Sequence, residues 1–476
     1  MSFTFAKPRV SLKLLFNRKS VFQCIRQQSQ YYENRNILNL HERGLFEDLF
    51  PDNSSNEIKQ LLISKPQTVY AGFDPTAESL HIGNLLILKN LFHWQRSGHR
   101  VIVLIGTATA QIGDPSGRSK DRERQIAQIV RAQGLEIQKN IEKISYNHEK
   151  YFWSKIPNCG RLKPIKFVNN EDWYKNMNVI EFLNDVGRHF RMGTMLLKDS
   201  VNKRLKSDFG MCFTEFTYQV FQAYDWYHLY ENFNCKFQIG GKDQMGNIVA
   251  GHNFISRYVD KPAYGLTLPL IVDDAGDKFG KSVPNPVWVD PKLMSAFDFY
   301  QFFIRSPDST VEKLLNLFTF LGPNEIQKIM ADHKAKPEKR GAQTALADEV
   351  TLLVHGEEGL EEARRTTKAL FCSNIETWGQ LSQEELSRVL KGAPIVEYKF
   401  RPGINLMELV LNARCFIDKP DALRISSAGG LYVNLQKATN LNEIISQTVH
   451  ILPNRTTIIR IGKKHYWIIK WTLDSF

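Results

Sequence analysis

The sequence predicts a doubly wound α/β domain followed by a helical region and a small mixed one, and three observations carry that expectation. An apolar run at Val69–Phe73, a helix-period stretch at Ile82–Ser97 and a continuous apolar run at Val101–Gly106 make a strand–helix–strand unit. A second half follows, with an aromatic helical stretch at Phe213–Tyr230, a strand at Cys235–Ile239 and another helix from about Gln244. The 476-residue chain is also too long for one core.

Taken in order, residues 1–38 form a leader. Six Lys or Arg and no acid precede Glu33, and Leu12, Leu15, Phe16 and Phe22 fall at helical spacing. An acid-free, basic, amphipathic start predicts mitochondrial targeting, with a basic RNA-binding arm as the alternative. Residues 39–292 carry the two α/β halves, and 128–205, mixing helices with aromatic and basic residues, reads as an insertion between them. Residues 293–392 are rich in helix formers. The segment 393–476 turns to short elements: a helix at Leu406–Cys415, a turn into a strand at Arg424–Leu435, and a hairpin over Arg455–Lys470.

Composition excludes several classes. Hydrophobic residues at 42% and charged residues at 24% are globular values, which rules out a mostly disordered or fibrous chain. No apolar run approaches the length of a membrane-spanning helix. Six scattered cysteines, without a CxxC pair, argue against a disulfide framework or a structural zinc site, and no metal ligands are expected. The net charge of +12 sits at the two ends: the leader is basic, and 396–476 holds eleven Lys or Arg against six Asp or Glu. A basic C-terminal region suits a polyanion.

Three constellations carry chemistry. Tyr70-Ala71-Gly72-Phe73-Asp74-Pro75-Thr76 and His81-Ile82-Gly83-Asn84 occupy the first strand-to-helix turn, where a helix N-terminus offers free N–H groups to phosphate. A histidine at a helix start also serves simply as a cap. Gly276–Ser282 is spaced G-x3-G-K-S, one residue short of a phosphate-binding P-loop, and Pro284 and Pro286 forbid the helix such a loop needs. What remains is a glycine-hinged loop with Lys278 and Lys281, suited to neutralising polyphosphate or, more blandly, a solvated turn. Tyr218, Gln222 and Asp225 stand at i, i+4 and i+7 on one helix face, which is costly if buried unless they meet a polar ligand.

Together with Gly113–Gly117, Phe213–Phe216 and Gln238–Gly241, these strings resemble the tyrosyl-tRNA synthetases of the bacterial and organellar type, over about residues 40–476. The resemblance implies activation of L-tyrosine by ATP, with Mg2+ accompanying the nucleotide, and transfer to mitochondrial tRNA(Tyr) by a homodimer in the mitochondrial matrix. It implies that Tyr70 and Asp225 meet the substrate phenol, that Asp114, Tyr218 and Gln222 hold its ammonium, and that Gln238 supports that pocket. Asp74, Thr76, His81, Gly83 and Asn84 would line the ATP side. Gly241, Asp243 and Gln244 would meet the ribose and α-phosphate, Leu270 the adenine, and Lys278 and Lys281 the pyrophosphate. It further implies that 293–392 is a helical anticodon-binding domain and 393–476 an S4-like tRNA-binding domain. The family's first signature usually ends in His where Asn84 stands, and its second is usually Lys-Met-Ser-Lys-Ser where this chain has Lys278-Phe279-Gly280-Lys281-Ser282. Two rivals stay open: a tryptophanyl-tRNA synthetase, and a non-catalytic RNA-binding protein on a synthetase body.

Overall fold

The computed structural model describes residues 35–116, 123–157, 159–270, 286–371, 375–390, 393–462 and 465–472. The leader before Arg35 and the loop holding Lys278 and Lys281 lie outside the described residues. The chain divides into two compact units, Met1–Leu293 with Pro307–Ala342, and Met294–Ser306 with Gln343–Phe476. The helical stretch 293–392 is thereby shared between them.

The first unit is built on a six-stranded sheet. Its strands are β1 (Leu49–Phe50), β2 (Thr68–Phe73), β3 (Arg100–Ile105), β4 (Lys166–Asn169), β5 (Cys235–Gly241) and β6 (Tyr264–Leu268), in the order β1-β6-β5-β2-β3-β4. All pairs are parallel except β1 with β6. From β2 the chain winds outward through β3 to β4, then returns to lay β5 and β6 on the other side. The strand order therefore reverses between β2 and β5, the place where doubly wound sheets open a crevice. The buried apolar runs of β2 and β3, in register from Thr68 with Arg100 to Phe73 with Ile105, are what a sheet covered on both faces requires.

Helices α1 (Ile82–Arg96), α2 (Thr107–Ile112), α3 (Ala127–His148), α4 (Phe213–Phe233) and α5 (Met245–Val259) complete this unit's main frame. One core under α4 and α5 joins Tyr70, Ile102, Leu104, Trp226, Leu229, Ile248 and Ile255. The segment expected to be an insertion, 128–205, is partly integral. Lys166–Asn169 is the edge strand β4, paired with Ile102–Ile105. Four residues with no alternation give no periodic signal, so only the partner strand reveals it.

In the second unit, a helix at Ala296–Ile304 and a long helical stretch at Gly341–Phe371, kinked at Gly356 with φ 78°, precede a five-stranded sheet. Its strands are β7 (Ile395–Lys399), β8 (Leu431–Val433), β9 (Gln436–Lys437), β10 (Thr456–Ile461) and β11 (His465–Thr472), ordered β7-β11-β10-β8-β9. β10 and β11 form the expected antiparallel hairpin, Thr456 opposite Lys470. Leu406, Leu409, Val410, Leu431, Ile459 and Ile469 share one core.

Candidate active site

Asp225 is a buried carboxylate of the crevice, 1% exposed on α4. Its Oδ1 accepts hydrogen bonds from Trp173 Nε1 at 3.0 Å and Tyr174 OH at 2.8 Å, and its Oδ2 from Asn170 Nδ2 at 3.1 Å. Even so, burial pushes its carboxyl up to about 7, since three donors replace only part of the lost hydration. Tyr70 lies on β2, and its phenol is held well above 10 by burial first and the Asp225 charge second. The Tyr70 hydroxyl is buried with no hydrogen-bond partner among the described residues. The same is true of Gln222 Oε1 on α4 and Gln238 Oε1 on β5. Buried polar atoms are normally paired, so three orphans from three elements mark a place for a polar ligand.

A second carboxylate is wired to the first. Asn170 Nδ2 also donates to Thr109 Oγ1 at 2.9 Å, and Thr109 Oγ1 donates to Asp74 Oδ1 at 2.7 Å. Asp74 Oδ2 accepts from Tyr218 OH at 2.8 Å. Tyr218 therefore reaches across from α4 to the end of β2. Its phenol is kept neutral, raised well above 10 by burial and by the charges of Asp74 and Asp114. Gly106, which follows β3 and caps α2, is required here: a Cβ would overlap Asp74 Oδ1 and Thr109 Oγ1.

Asp114, 8% exposed, anchors a third group. Its Oδ2 accepts from Gln244 Nε2 at 2.6 Å, and its Oδ1 from Ser116 N at 2.9 Å and Asn247 Nδ2 at 3.5 Å. Gln244, which the sequence resemblance puts on the nucleotide side, is thus tied to the carboxylate proposed for the ammonium. Gly241 closes β5, and Asp243 and Gln244 lie in the single turn Lys242–Gln244 after it. Leu270 is half-buried just beyond β6.

His81 is the N-cap of α1. Its Nδ1 accepts from Gly83 N at 3.0 Å and Asn84 N at 3.4 Å, while Asn84 Oδ1 accepts from His81 N at 3.1 Å. Asn84 therefore completes a reciprocal capping box, a job its short amide suits. The accepting Nδ1 places the neutral ring's proton on Nε2, as a donor. Gly83 is needed because a Cβ there would meet His81 Cε1 at 2.9 Å. Thr76 is exposed, its amide bonded to Asp74 O at 2.9 Å. Val287–Val289 is stitched to this signature by Ile82 N to Val287 O and Val289 N to Leu80 O, each 3.0 Å. Lys278 and Lys281 stand a few residues before that stitch and outside the described residues.

The crevice thus gathers Tyr70, Asp74, Asp114, Tyr218, Gln222, Asp225, Gln238 and Gln244 from β2, α4, β5 and the segments that follow β2, α2 and β5. Sequence reasoning passed over Asn170, Trp173, Tyr174, Thr109 and Asn247. Three of them, Asn170, Trp173 and Tyr174, follow directly on the C-terminal end of β4, where such sites gather, but that strand shows only through its pairing with β3, so the sequence carried no signal for them.

Residues 64–372 match the family described as tRNA synthetases class I (W and Y). The chain is 46% identical over 454 residues to the mitochondrial tyrosine–tRNA ligase of Drosophila melanogaster, covering 95% of this chain and 98% of that one. It is 44% identical over 435 residues to the human mitochondrial tyrosine–tRNA ligase, covering 90% of each. Among solved structures, a C-terminally truncated mitochondrial tyrosyl-tRNA synthetase of Aspergillus nidulans superposes with a TM-score of 0.64 at 32% identity, covering 74% of this chain and all of that one.

Proposed function

The chain belongs to the class I tRNA synthetases that serve tryptophan and tyrosine, and we infer that it is a tyrosine–tRNA ligase working in mitochondrial translation. It joins L-tyrosine to ATP, releasing pyrophosphate, and passes the tyrosyl group from the adenylate to the terminal ribose of tRNA(Tyr). The observation that carries the choice of tyrosine is a buried carboxylate, Asp225, close enough for its charge to act on the buried, unsatisfied hydroxyl of Tyr70. A phenol hydroxyl satisfies both, donating to one and accepting from the other, whereas phenylalanine leaves both unpaired.

In this reading Asp114, Tyr218 and Gln222 surround the substrate ammonium, Asp114 supplying the opposite charge, and Asp74, bonded to Tyr218, lies on the ATP side of them. The substrate carboxylate is itself the nucleophile, so the protein needs no covalent group. Its work is to position that carboxylate in line with the α-phosphate and to stabilise charge as pyrophosphate leaves. His81 Nε2–H, Thr76, Gly241 and Asp243 face the phosphate side, with Leu270 toward the adenine, while the Gln244 side chain is held by Asp114. Lys278 and Lys281 close on the departing pyrophosphate. Magnesium enters with the ATP phosphates. Among the described residues no group of three or more His, Cys, Asp or Glu is arranged to hold a metal.

The remaining assignments are part of the same proposal. The basic leader directs the chain to the matrix. Residues 393–476 form an S4-like tRNA-binding domain whose cations meet tRNA phosphates, and the helices before it read the anticodon region. A homodimer is supported by exposed apolar side chains from the segment between β4 and α4 (Val179 at 66%, Ile180 at 69% and Leu197 at 78%) and from the first residue of α4 (Phe213 at 75%). No described helix is long and apolar enough to cross a membrane.

ATP–pyrophosphate exchange with tyrosine, tryptophan and phenylalanine in separate reactions tests the reading. Exchange with tyrosine alone is expected; exchange driven equally by tryptophan overturns the substrate choice.

A further inference from the structure

Two of the three groups that donate to Asp225 hold fixed roles. Trp173 Nε1–H can only donate. Asn170 Nδ2 is oriented as a donor because its Oδ1 accepts from Ala108 N at 2.8 Å. Tyr174 is different. Its hydroxyl stands 2.8 Å from Asp225 Oδ1 and 2.9 Å from Phe221 O, yet it has one proton for two acceptors.

Two proton arrangements satisfy this geometry. With Asp225 ionised, Tyr174 donates to Oδ1. With Asp225 neutral, its Oδ1–H donates to the Tyr174 oxygen and Tyr174 donates to Phe221 O. Either charge on the carboxyl therefore finds a complete set of partners at Oδ1, which a side chain able only to donate or only to accept does not provide. We propose that Tyr174 is a positioning residue that lets Asp225 rest neutral in the empty pocket and ionise as tyrosine binds, so that substrate binding expels one proton. The substrate hydroxyl then donates to the carboxylate at Oδ2, beside Asn170, and the displaced proton leaves to bulk water. This rests on the reading that Asp225 meets the substrate phenol.

The surroundings agree. The carboxyl of unliganded Asp225 is raised to about 7, by burial first, against the donors Asn170, Tyr174 and Trp173, and Asp74 raises it further. The titratable groups facing it from β2 and its end are Tyr70 and Asp74, from the segment after β4 Tyr174, and from α4 Tyr218 and Tyr224. All four phenols are held above their ordinary value and stay neutral over about pH 6–9. His228, stacked on Trp173 at 4.2 Å, is held below its ordinary value by burial, which leaves Asp225 as the directly bonded group that titrates near neutrality. Charge-assisted hydrogen bonds are about twice as strong as neutral ones, so removing the Tyr174 hydroxyl harms the ionised carboxyl more than the neutral one.

The test is calorimetric titration of the full-length protein with L-tyrosine in buffers of different ionisation enthalpy. Wild type is expected to release close to one proton per tyrosine at about pH 6, about half at pH 7 and almost none above pH 8.5. Tyr174→Phe is expected to move that transition alkaline by about one unit. It should weaken tyrosine binding about 5-fold at pH 7 and converge on wild type by about pH 9, with kcat for adenylate formation within about 2-fold. Absence of proton release from wild type between pH 6 and 8 overturns the proposal whether or not the variant folds. A variant weakened equally at every pH, with its transition unmoved, reduces Tyr174 to packing and also overturns it. Asp225→Asn separates the two readings: if that variant binds tyrosine as wild type does, it is the placement of the phenol at Asp225 that fails.

Discussion

Tyr70 and Gln238 are register partners on adjacent parallel strands, at the point where the strand order reverses. Each carries a buried polar atom, the Tyr70 hydroxyl and Gln238 Oε1, without a partner among the described residues. Such atoms cost stability in the empty protein and are kept for what they bind. Tyr70→Phe removes one orphan. The unliganded variant is expected to be as stable as wild type or up to about 1 kcal/mol more stable in urea unfolding, while kcat/KM for tyrosine falls about 10-fold. A variant that loses stability and keeps activity would place the hydroxyl in the fold and not in the site.

Asp225 gives the empty protein a pH dependence of defined sign. Its folded carboxyl lies near 7 and its unfolded reference at 3.8, so the native state holds a proton that the unfolded chain has already released. Its contribution therefore falls as pH rises from about 4 to 7 and is flat above. The stability of wild type minus that of Asp225→Asn should drop by about 3 kcal/mol between pH 5 and 8. Urea denaturation of both proteins across that range, without tyrosine, measures it. A difference that is constant with pH would show that the carboxyl is ionised throughout.

Much of this site was legible because its residues sit where local rules operate. Tyr70, Asp74 and His81 follow one strand into one helix, and Tyr218, Gln222 and Asp225 recur at i, i+4 and i+7, so spacing alone puts each set together. What escaped is what only the tertiary fold assembles. Asn170, Trp173 and Tyr174 lie more than 50 residues before Asp225 and reach it because β4 pairs with β3. Gln244 was assigned by its position in a motif, yet its side chain turns back to Asp114. The helical stretch 293–392 reads as uniform because periodicity reports amphipathic faces, and the two units claim different helices by which faces they cover.

The loop bearing Lys278 and Lys281 leads into Val287–Val289, which is laddered to the residues around His81. That stitch ties the loop's downstream end to the α1 N-terminus, where phosphate is expected. Ala at either lysine should lower kcat for adenylate formation about 100-fold or more while changing the KM for tyrosine about 2-fold at most, because the charge they meet develops only as pyrophosphate leaves. Exchange kinetics at saturating tyrosine check it, and an unchanged kcat in both variants would make the loop a solvated turn.

Adenylate formation and tRNA charging should come apart on truncation, and the cores say where to cut. Removing 396–476 alone would strip a packed face. Trp378, Leu381 and Leu386 share one core with Leu452, Ile458 and Ile468, and Asn454 Nδ2 bonds the carbonyls of Trp378 and Leu381 at 2.9 and 2.8 Å. Deleting 375–476 removes both of those faces together and leaves from that core only Ala369 among the described residues. It leaves the helix Ala296–Ile304 held to Gly341–Phe371 through Tyr300 OH to Asp348 Oδ1 at 3.1 Å and Gln301 Nε2 to Thr367 Oγ1 at 2.7 Å. Every candidate catalytic residue lies outside the deleted segment, so tyrosine-dependent exchange is expected to stay within about 2-fold of the full chain. The deleted segment includes the eleven Lys and Arg of 396–476. Without them aminoacylation should fall about 100-fold, and the slope of log affinity for tRNA against log salt should become shallower, since fewer phosphates are neutralised. Circular dichroism of the truncated protein separates this outcome from unfolding. A folded truncation that charges tRNA(Tyr) as well as the full chain does at physiological salt would mean that the RNA contacts lie in the α/β unit instead.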